Sequence, residues 1–318
     1  MRALVAALAL LGACAAPAPT PTASAAPEAQ TPAPGIPAPV PAPAPVPTTL
    51  SLTCAGALVQ GGIALCRTLP GAEILVDDVA RGHADAQGWA VIGFDRFATG
   101  ETRVRARGAD GAFVDQALAI SPRTFGEQRV DGLPQQTVTP TEPAVLARIA
   151  RERDIKNVGF SSRAEAEGWL DGFIMPAQGR MSSSWGNRRI LNGVPNTPHY
   201  GVDIAAPDGT PIRAPAGGVV SLAEPDLHFE GGLVFIDHGQ GLISMYLHMS
   251  RLDVAVGDRV TQGQIIGAVG HAGRATGPHL CWRMKWRDRN LDPSVAVEAL
   301  GAARATLLSQ AQMSPSQN

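Results

Sequence analysis

Apolar and polar positions along most of this chain alternate in short runs, the period-two signature of strands with one dry and one open face. Residues 49–122 carry several such runs, cut by Gln60-Gly61-Gly62, by Pro70-Gly71 and by Gly108-Ala109-Asp110-Gly111. Strand-length runs separated by turn signals predict a small antiparallel β-sandwich. Asp77 and Asp78 read as turn residues within it. The pattern breaks at "TEPAVLARIARERDIKNVGF" (Thr141 to Phe160), which predicts a helix capped by Thr141, with Pro143 in its first turn. This helix reads as part of a connector spanning 123–167. From Gly168 the Gly-punctuated strands return and predict a second antiparallel β-domain over 168–300. After about Ala303 a short polar tail, 301–318, is expected to fray. The predicted fold class is therefore all-β: a small N-terminal antiparallel β-sandwich and a larger C-terminal antiparallel β-sheet domain, joined by a helical connector.

Three β-segments carry chemistry. "GPHLCWRMKW" (Gly277 to Trp286) places Leu280, Trp282, Met284 and Trp286 on one face and His279, Cys281, Arg283 and Lys285 on the other. "ISMYLHM" sets Ile243, Met245, Leu247 and Met249 against Ser244, Tyr246 and His248, so Tyr246 and His248 are expected to point the same way. "HYGVD" holds His199 and Asp203, which would lie about 13 Å apart in a straight strand. A bend or bulge at Gly201 is expected to let them converge. Together these segments supply three histidines, a carboxylate and a thiol, a credible zinc constellation with groups to spare for acid–base work. All of the seven histidines except His83 fall between His199 and His279. His228, His238 and His271 sit beside glycines or in loops and read as structural.

The N-terminus and composition add a compartment. "MRALVAALALLGAC" has one Arg and then an apolar run too short for a bilayer, which takes about 20 residues. It reads as a secretory signal, residues 1–14. Its end resembles the lipobox of bacterial lipoproteins, which implies lipidation of Cys14 and a membrane anchor; an ordinary signal with an incidental cysteine is the alternative. Ala15 after the cysteine, by the same resemblance, favours an outer-membrane lipoprotein facing the periplasm. Residues 15–48 are mostly Ala, Pro and Thr and read as an extended tether, on the order of 90 Å long in polyproline form. A net charge of -2 excludes the concentrated basic field that nucleic-acid binding needs. An exported chain meets an oxidising compartment, so Cys54 and Cys66, which flank the first turn, are expected to form a disulfide. Of the four cysteines only Cys281 is then left without a task.

"HYGVDIAAPDGTPIRAPAGGVV", "GLVFIDHGQGLISMYLHM" and "VGDRVTQGQIIGAVGHAGRATGPHL" occur in this order. From about Phe173 to Pro293 the chain thereby resembles the lysostaphin-type, LytM-like zinc endopeptidases that cut peptidoglycan peptides. The N-terminal sandwich looks like the Ig-like modules of bacterial envelope proteins. The peptidase resemblance implies zinc held by His199 and Asp203, with His248 and His279 as catalytic histidines. One of the pair would take the proton of the attacking water and the other would stabilise the oxyanion. The family's third ligand is a histidine two residues beyond His279; this chain has Cys281 there. Tyr246, Met175-Pro176 and "SSSWGNRR" are candidates to line the substrate groove. Arg283 and Lys285 read as a solvated face, with anionic wall components as the alternative contact.

Thiolate is a common zinc ligand, so Cys281 is expected to replace the histidine. Asp203 and a Cys281 thiolate would neutralise the ion, where two histidines and one Asp leave +1. A weaker Lewis acid, slower turnover or a more alkaline optimum follows. The competing function is a metal-poor regulator that activates cell-wall amidases, with an amidase or division protein as partner. A biotinyl or lipoyl carrier is excluded, because the two lysines, Lys156 and Lys285, do not sit at a hairpin tip.

Overall fold

The computed structural model describes residues 45–313. The signal 1–14, Cys14, the tether up to residue 44 and residues 314–318 lie outside the described residues.

Seven strands build the N-terminal β-unit. β1 (Leu52–Gly56), β2 (Ile63–Thr68) and β5 (Trp89–Gly93) form one antiparallel sheet, in the order β1-β2-β5. β3 (Glu73–Val76), β4 (Val79–His83), β6 (Gly100–Arg107) and β7 (Phe113–Ile120) form the other, in the order β4-β3-β6-β7. Asp77 and Asp78 both take positive φ, as a tight hairpin between β3 and β4 requires. Cys54 and Cys66 stand directly opposite each other on β1 and β2 and are joined by a disulfide.

The chain then crosses to the second β-unit. β8 (Glu127–Val130) pairs in parallel with β10 (Arg188–Leu191), and β10 pairs with β11 (Val194–Asn196). Between β8 and the main sheet come a single helical turn, α1 (Gln135–Val138), and the long helix α2 (Pro143–Phe160). Thr141 does not cap α2. Glu142 occupies the N-cap position without a side-chain bond, and Pro143 supplies the start, since its ring presets φ and it has no N–H to satisfy. α2 lies close over the second β-unit at Gly159, where a β-carbon would fall 2.9 Å from the Phe235 ring.

The main sheet runs β17-β14-β15-β16-β19-β12-β9. Its strands are β9 (Arg180–Ser183), β12 (Gly201–Ala205), β14 (Gly218–Leu227), β15 (Gly231–Asp237), β16 (Leu242–Leu252), β17 (Arg259–Val260) and β19 (His279–Trp286). β13 (Pro211–Arg213), β18 (Ile265–Val269) and β20 (Arg289–Leu291) complete it at the margins. The alternation in β19 survives folding: Leu280, Trp282, Met284 and Trp286 are all buried in one core.

That core is continuous with the N-terminal β-unit. The Gln240 side chain bridges to the backbone of Trp89 and Val91, and Arg289 donates to the Gly93 carbonyl. The connector therefore does not hold two separate beads apart, because the β-units pack on each other directly. The last element, α3 (Pro293–Met313), corrects the expected fraying tail. Ala296, Leu300, Ala303 and Leu307 recur at helical spacing and are all buried against the first sheet and Leu170. Burying a leucine fully contributes about 2 kcal/mol, and Leu300 and Leu307 on this face hold the helix against the sheet.

Candidate metal centre

Register builds the site. Asp203 on β12 lies opposite Cys281 on β19 and, on its other side, opposite Ser183 on β9. His199 enters from the segment just before β12, tied by its backbone to Gly186 and Asn187. Gly201 opens β12, directly in register with β19. It stands opposite Arg283, and a β-carbon there would fall 2.7 Å from the arginine's Cγ and 3.1 Å from the Cys281 sulfur. Its part is to leave room.

The three groups converge. His199 Nε2 is 3.1 Å from Asp203 Oδ1 and 3.4 Å from Cys281 Sγ. One ligand atom from each residue lies within 4.8 Å of the others. Asp203 Oδ1 is buried without a hydrogen-bond partner, while Oδ2 accepts from Arg189 at 2.8 Å. Leaving a buried carboxylate oxygen unsatisfied costs about 1–3 kcal/mol, so a cation between these atoms fits the donor set. Nitrogen, carboxylate and sulfur together suit zinc.

Tautomers are set from behind. The Ser183 hydroxyl donates to Gln128 Oε1 at 2.9 Å, so it accepts from His199 Nδ1 at 3.0 Å. That leaves the His199 Nε2 lone pair facing Asp203 and Cys281. His248 Nδ1 donates to the Ala272 carbonyl and His279 Nδ1 to the Gly277 carbonyl, both at 2.8 Å. Each therefore also offers a bare Nε2. The two rings lie 4.7 Å apart, and His279 Nε2 is 3.9 Å from Asp203 Oδ1.

His248 reaches this face by an irregularity that periodicity does not reveal. Between the pairs Gly232↔Met249 and Val234↔Tyr246, β16 carries one residue more than β15, and His248 takes a left-handed φ of 65°. The bulge turns His248 onto the face of Cys281 and leaves Tyr246 on the opposite face. Tyr246 is fully buried there, bonded to the Ser244 hydroxyl at 2.6 Å. Burial pushes its phenol well above the ordinary range, and it does not reach the groove.

Burial dominates the protonation states. It pulls His199 down to about 4, against the pull of Asp203, and His248 to about 3, assisted by the neighbouring His279. Burial, then the Asp203 charge, pushes the Cys281 thiol up to about 12. Burial alone would raise the Asp203 carboxyl, but the neighbouring His199 and the charges of Arg189 and His279 hold it below the carboxylate range.

A groove of about 330 Å³ opens on the centre, with Gln128, Leu133 and Arg189 on one wall and Arg274, Gly277 and His279 on the other. Ser182 and Arg189 of "SSSWGNRR" line it. Met175 and Pro176 do not: they line a separate cavity with Thr210 and Arg213. Arg283 and Lys285 do not form a solvated face either. Arg283 Nε is 3.4 Å from Cys281 Sγ, and Lys285 lies 4.5 Å over the Phe160 ring. His228, His238 and His271 bond to Gln136, to Gly217 and Ser244, and to Asp208, away from the centre. Gln128 and Arg274 escaped the sequence reading: Gln128 stands in no motif, Arg274 lies within the quoted glycine-rich stretch without a marked role, and both reach the site through tertiary contacts.

The comparisons agree with this architecture. Residues 197–293 match peptidase family M23. Over 140 residues the chain is 37% identical to peptidoglycan DD-endopeptidase ShyC of Vibrio cholerae, covering 42% of this chain and 32% of that protein. Over 118 residues it is 39% identical to DD-carboxypeptidase/endopeptidase Mpg of Neisseria meningitidis, covering 36% and 27%. The matched segment thus spans about a third or less of these relatives. A crystal structure of a putative peptidase M23 from Pseudomonas aeruginosa superposes with a TM-score of 0.57 at 30% identity, over 77% of this chain and 95% of that one. An M23 match over the segment that carries the site, and a likeness that extends through nearly all of the Pseudomonas chain, establish that this chain belongs to peptidase family M23.

Proposed function

We propose that the protein is a zinc-dependent endopeptidase that hydrolyses peptide bonds of peptidoglycan stem peptides or cross-links, with Cys281 in place of the usual third histidine ligand. The observation that carries this reading is the convergence of His199 Nε2, Asp203 Oδ1 and Cys281 Sγ on one point beside two histidines with bare Nε2 atoms. The Vibrio relative named as a peptidoglycan DD-endopeptidase supports this substrate class.

When bound by these three residues, zinc supplies a Lewis acid that polarises the scissile carbonyl. The chain does the rest. One of His248 and His279, their rings held by the Ala272 and Gly277 carbonyls, would accept the proton of the attacking water at its bare Nε2. The other histidine of the pair, whose rings lie 4.7 Å apart, would stabilise the developing oxyanion. Arg189 neutralises the Asp203 oxygen turned away from the centre, and Ser183 with Gln128 holds His199 in register.

We also infer an exported protein, anchored through Cys14 in the outer membrane and reaching the wall by its Pro/Ala-rich tether, with the β-unit of 49–122 ahead of a peptidase domain over 168–300. No helix among the described residues is long and apolar enough to cross a membrane. One observation favours the alternative of a metal-poor amidase regulator: Cys281 belongs to an apolar cluster with Leu247, Phe235 and Met245, surroundings that suit a thiol.

Two measurements on purified protein decide between the readings. The peptidase reading expects about one zinc per chain, lost in His199→Ala, together with cleavage of purified wall fragments. Protein that carries no zinc and stimulates a wall amidase without cutting fragments itself supports the regulator instead.

A further inference from the structure

Behind His248 the groove continues into a chamber of about 190 Å³ lined by Arg189, Arg274, Arg283, Glu230 and Asn196. The chamber shares Arg189, His248 and Arg274 with the main groove, so it opens directly beside the candidate catalytic pair. Its three arginines come from three separate elements: β10, the loop after β18, and β19.

The charges in this chamber do not balance. Lys156 bonds Glu230 Oε1 at 2.5 Å and Arg189 bonds Asp203 Oδ2 at 2.8 Å, so each nearby carboxylate already has one cation, and the two carboxylates stand against four basic groups. Among the described residues, neither Arg274 nor Arg283 forms an ion pair. Arg274 reaches only the Thr137 carbonyl at 3.3 Å, with its guanidinium 4.9 Å over the Phe229 ring. Arg283 reaches only the Cys281 sulfur, at 3.4 Å. Burial, then the like charges of Arg283 and Arg189, pull the Arg274 guanidinium down to about 10. With Cys281 as a thiolate ligand, Arg283 has that sulfur beside it, whereas Arg274 faces the like charges of Arg189 and Arg283 with no ion pair of its own, an arrangement that an anion entering the chamber would relieve. Gly201 reserves the space that Arg283 needs, since any side chain there would collide with the arginine stem.

We propose that this chamber is a carboxylate subsite, and that the substrate is a peptide presenting a free carboxylate close to the scissile bond. The planar fork of a guanidinium matches a carboxylate with two parallel hydrogen bonds. A chamber of this size admits that group with a short side chain but not a folded domain. The inference rests on the peptidase reading and narrows it. The carboxylate is either the peptide's own C-terminus or an acidic side chain next to the bond, and both present the same chemistry.

The test uses the zinc-loaded full chain and three peptides: a stem-type peptide with both carboxylates free, one amidated at the C-terminus, and one amidated at the side chain. Amidating the recognised carboxylate is expected to raise KM at least tenfold, about 1.4 kcal/mol, and shows which carboxylate is read. In Arg274→Gln the acid and amide peptides should give the same KM, and Arg274→Lys should restore part of the preference. The wild-type comparison decides by itself if the variant folds poorly. Equal KM values for all three peptides in the wild type overturn the subsite. If nothing is cleaved, calorimetry with the same peptides separates the two claims. A tenfold preference for the acid keeps the subsite while the hydrolase reading fails; equal or absent binding overturns the subsite as well.

Discussion

Asp203 and Cys281 face each other across the β12–β19 ladder, each turned toward His199. A carboxylate and a thiol on adjacent strands, with an imidazole closing the triangle, place two potential negative charges in a site where relatives of the lysostaphin type are expected to have one. Arg189 and Arg283 stand on its flanks, at 2.8 Å from the carboxylate and 3.4 Å from the sulfur.

Cys281→His restores a neutral ligand and leaves a bound divalent ion with more net positive charge. Water activated there becomes more acidic. The acid limb of the pH–rate profile on wall fragments should move to lower pH, with zinc content retained. A superimposable profile contradicts the claim that the thiolate sets the ion's acidity.

The Ser183 hydroxyl supports the centre chiefly at His199, accepting from its Nδ1 at 3.0 Å. Ser183→Ala frees the imidazole to rotate and to exchange tautomers. Zinc affinity, measured by competition with a chelator, should fall about 10- to 100-fold, the usual cost of losing such a supporting contact, with little change in melting temperature. Unchanged affinity would show that packing alone orients the ring.

The left-handed backbone at His248 separates two roles of one residue. His248→Ala and His248→Gly should both lose about 10²–10⁴ in turnover while keeping zinc, because each removes one of the two histidines that act on the water and the oxyanion. Glycine accepts positive φ and alanine does not, so the glycine variant should be the more stable by about 1 kcal/mol in urea denaturation. Equal stabilities would mean that the bulge relaxes once the imidazole is gone.

His238 lies outside the centre, buried between the Gly217 carbonyl and the Ser244 hydroxyl, and burial pulls it down to about 4. Its folded pKa lies below its unfolded value of roughly 6.5. Between those values the unfolded chain binds the extra proton. The contribution of His238 to stability is therefore complete above pH 6.5 and is lost as pH falls toward 4, by about 3 kcal/mol at the limit. Urea denaturation of His238→Gln should depend less steeply on pH across that window than the wild type. Parallel curves would place the acid sensitivity in other groups.

Much of this molecule is written in local pattern. The period-two runs announced the two β-units, because a strand's side chains alternate whatever lies beyond it. The dry face of β19, with Leu280, Trp282, Met284 and Trp286, could be named from that alternation alone. The order of the three motif-bearing segments was enough to pick out His199, Asp203, His248, His279 and Cys281 as candidates.

What tertiary structure decided is where alternation fails. The extra residue in β16 turned His248 toward Cys281 and sent Tyr246 into the opposite core, because a bulge reverses which face follows and depends on how the partner strands pair. The tail became α3 because Ala303 and Leu307 found an apolar sheet to cover, a surface made by residues some 240 positions earlier. The arginine chamber, with Arg189, Arg274 and Arg283 drawn from three elements, and Gln128 reaching in from β8, exist only after folding. Charge and hydrogen-bond partners distant in the chain become neighbours through sheet register, and no short stretch of sequence specifies that register by itself.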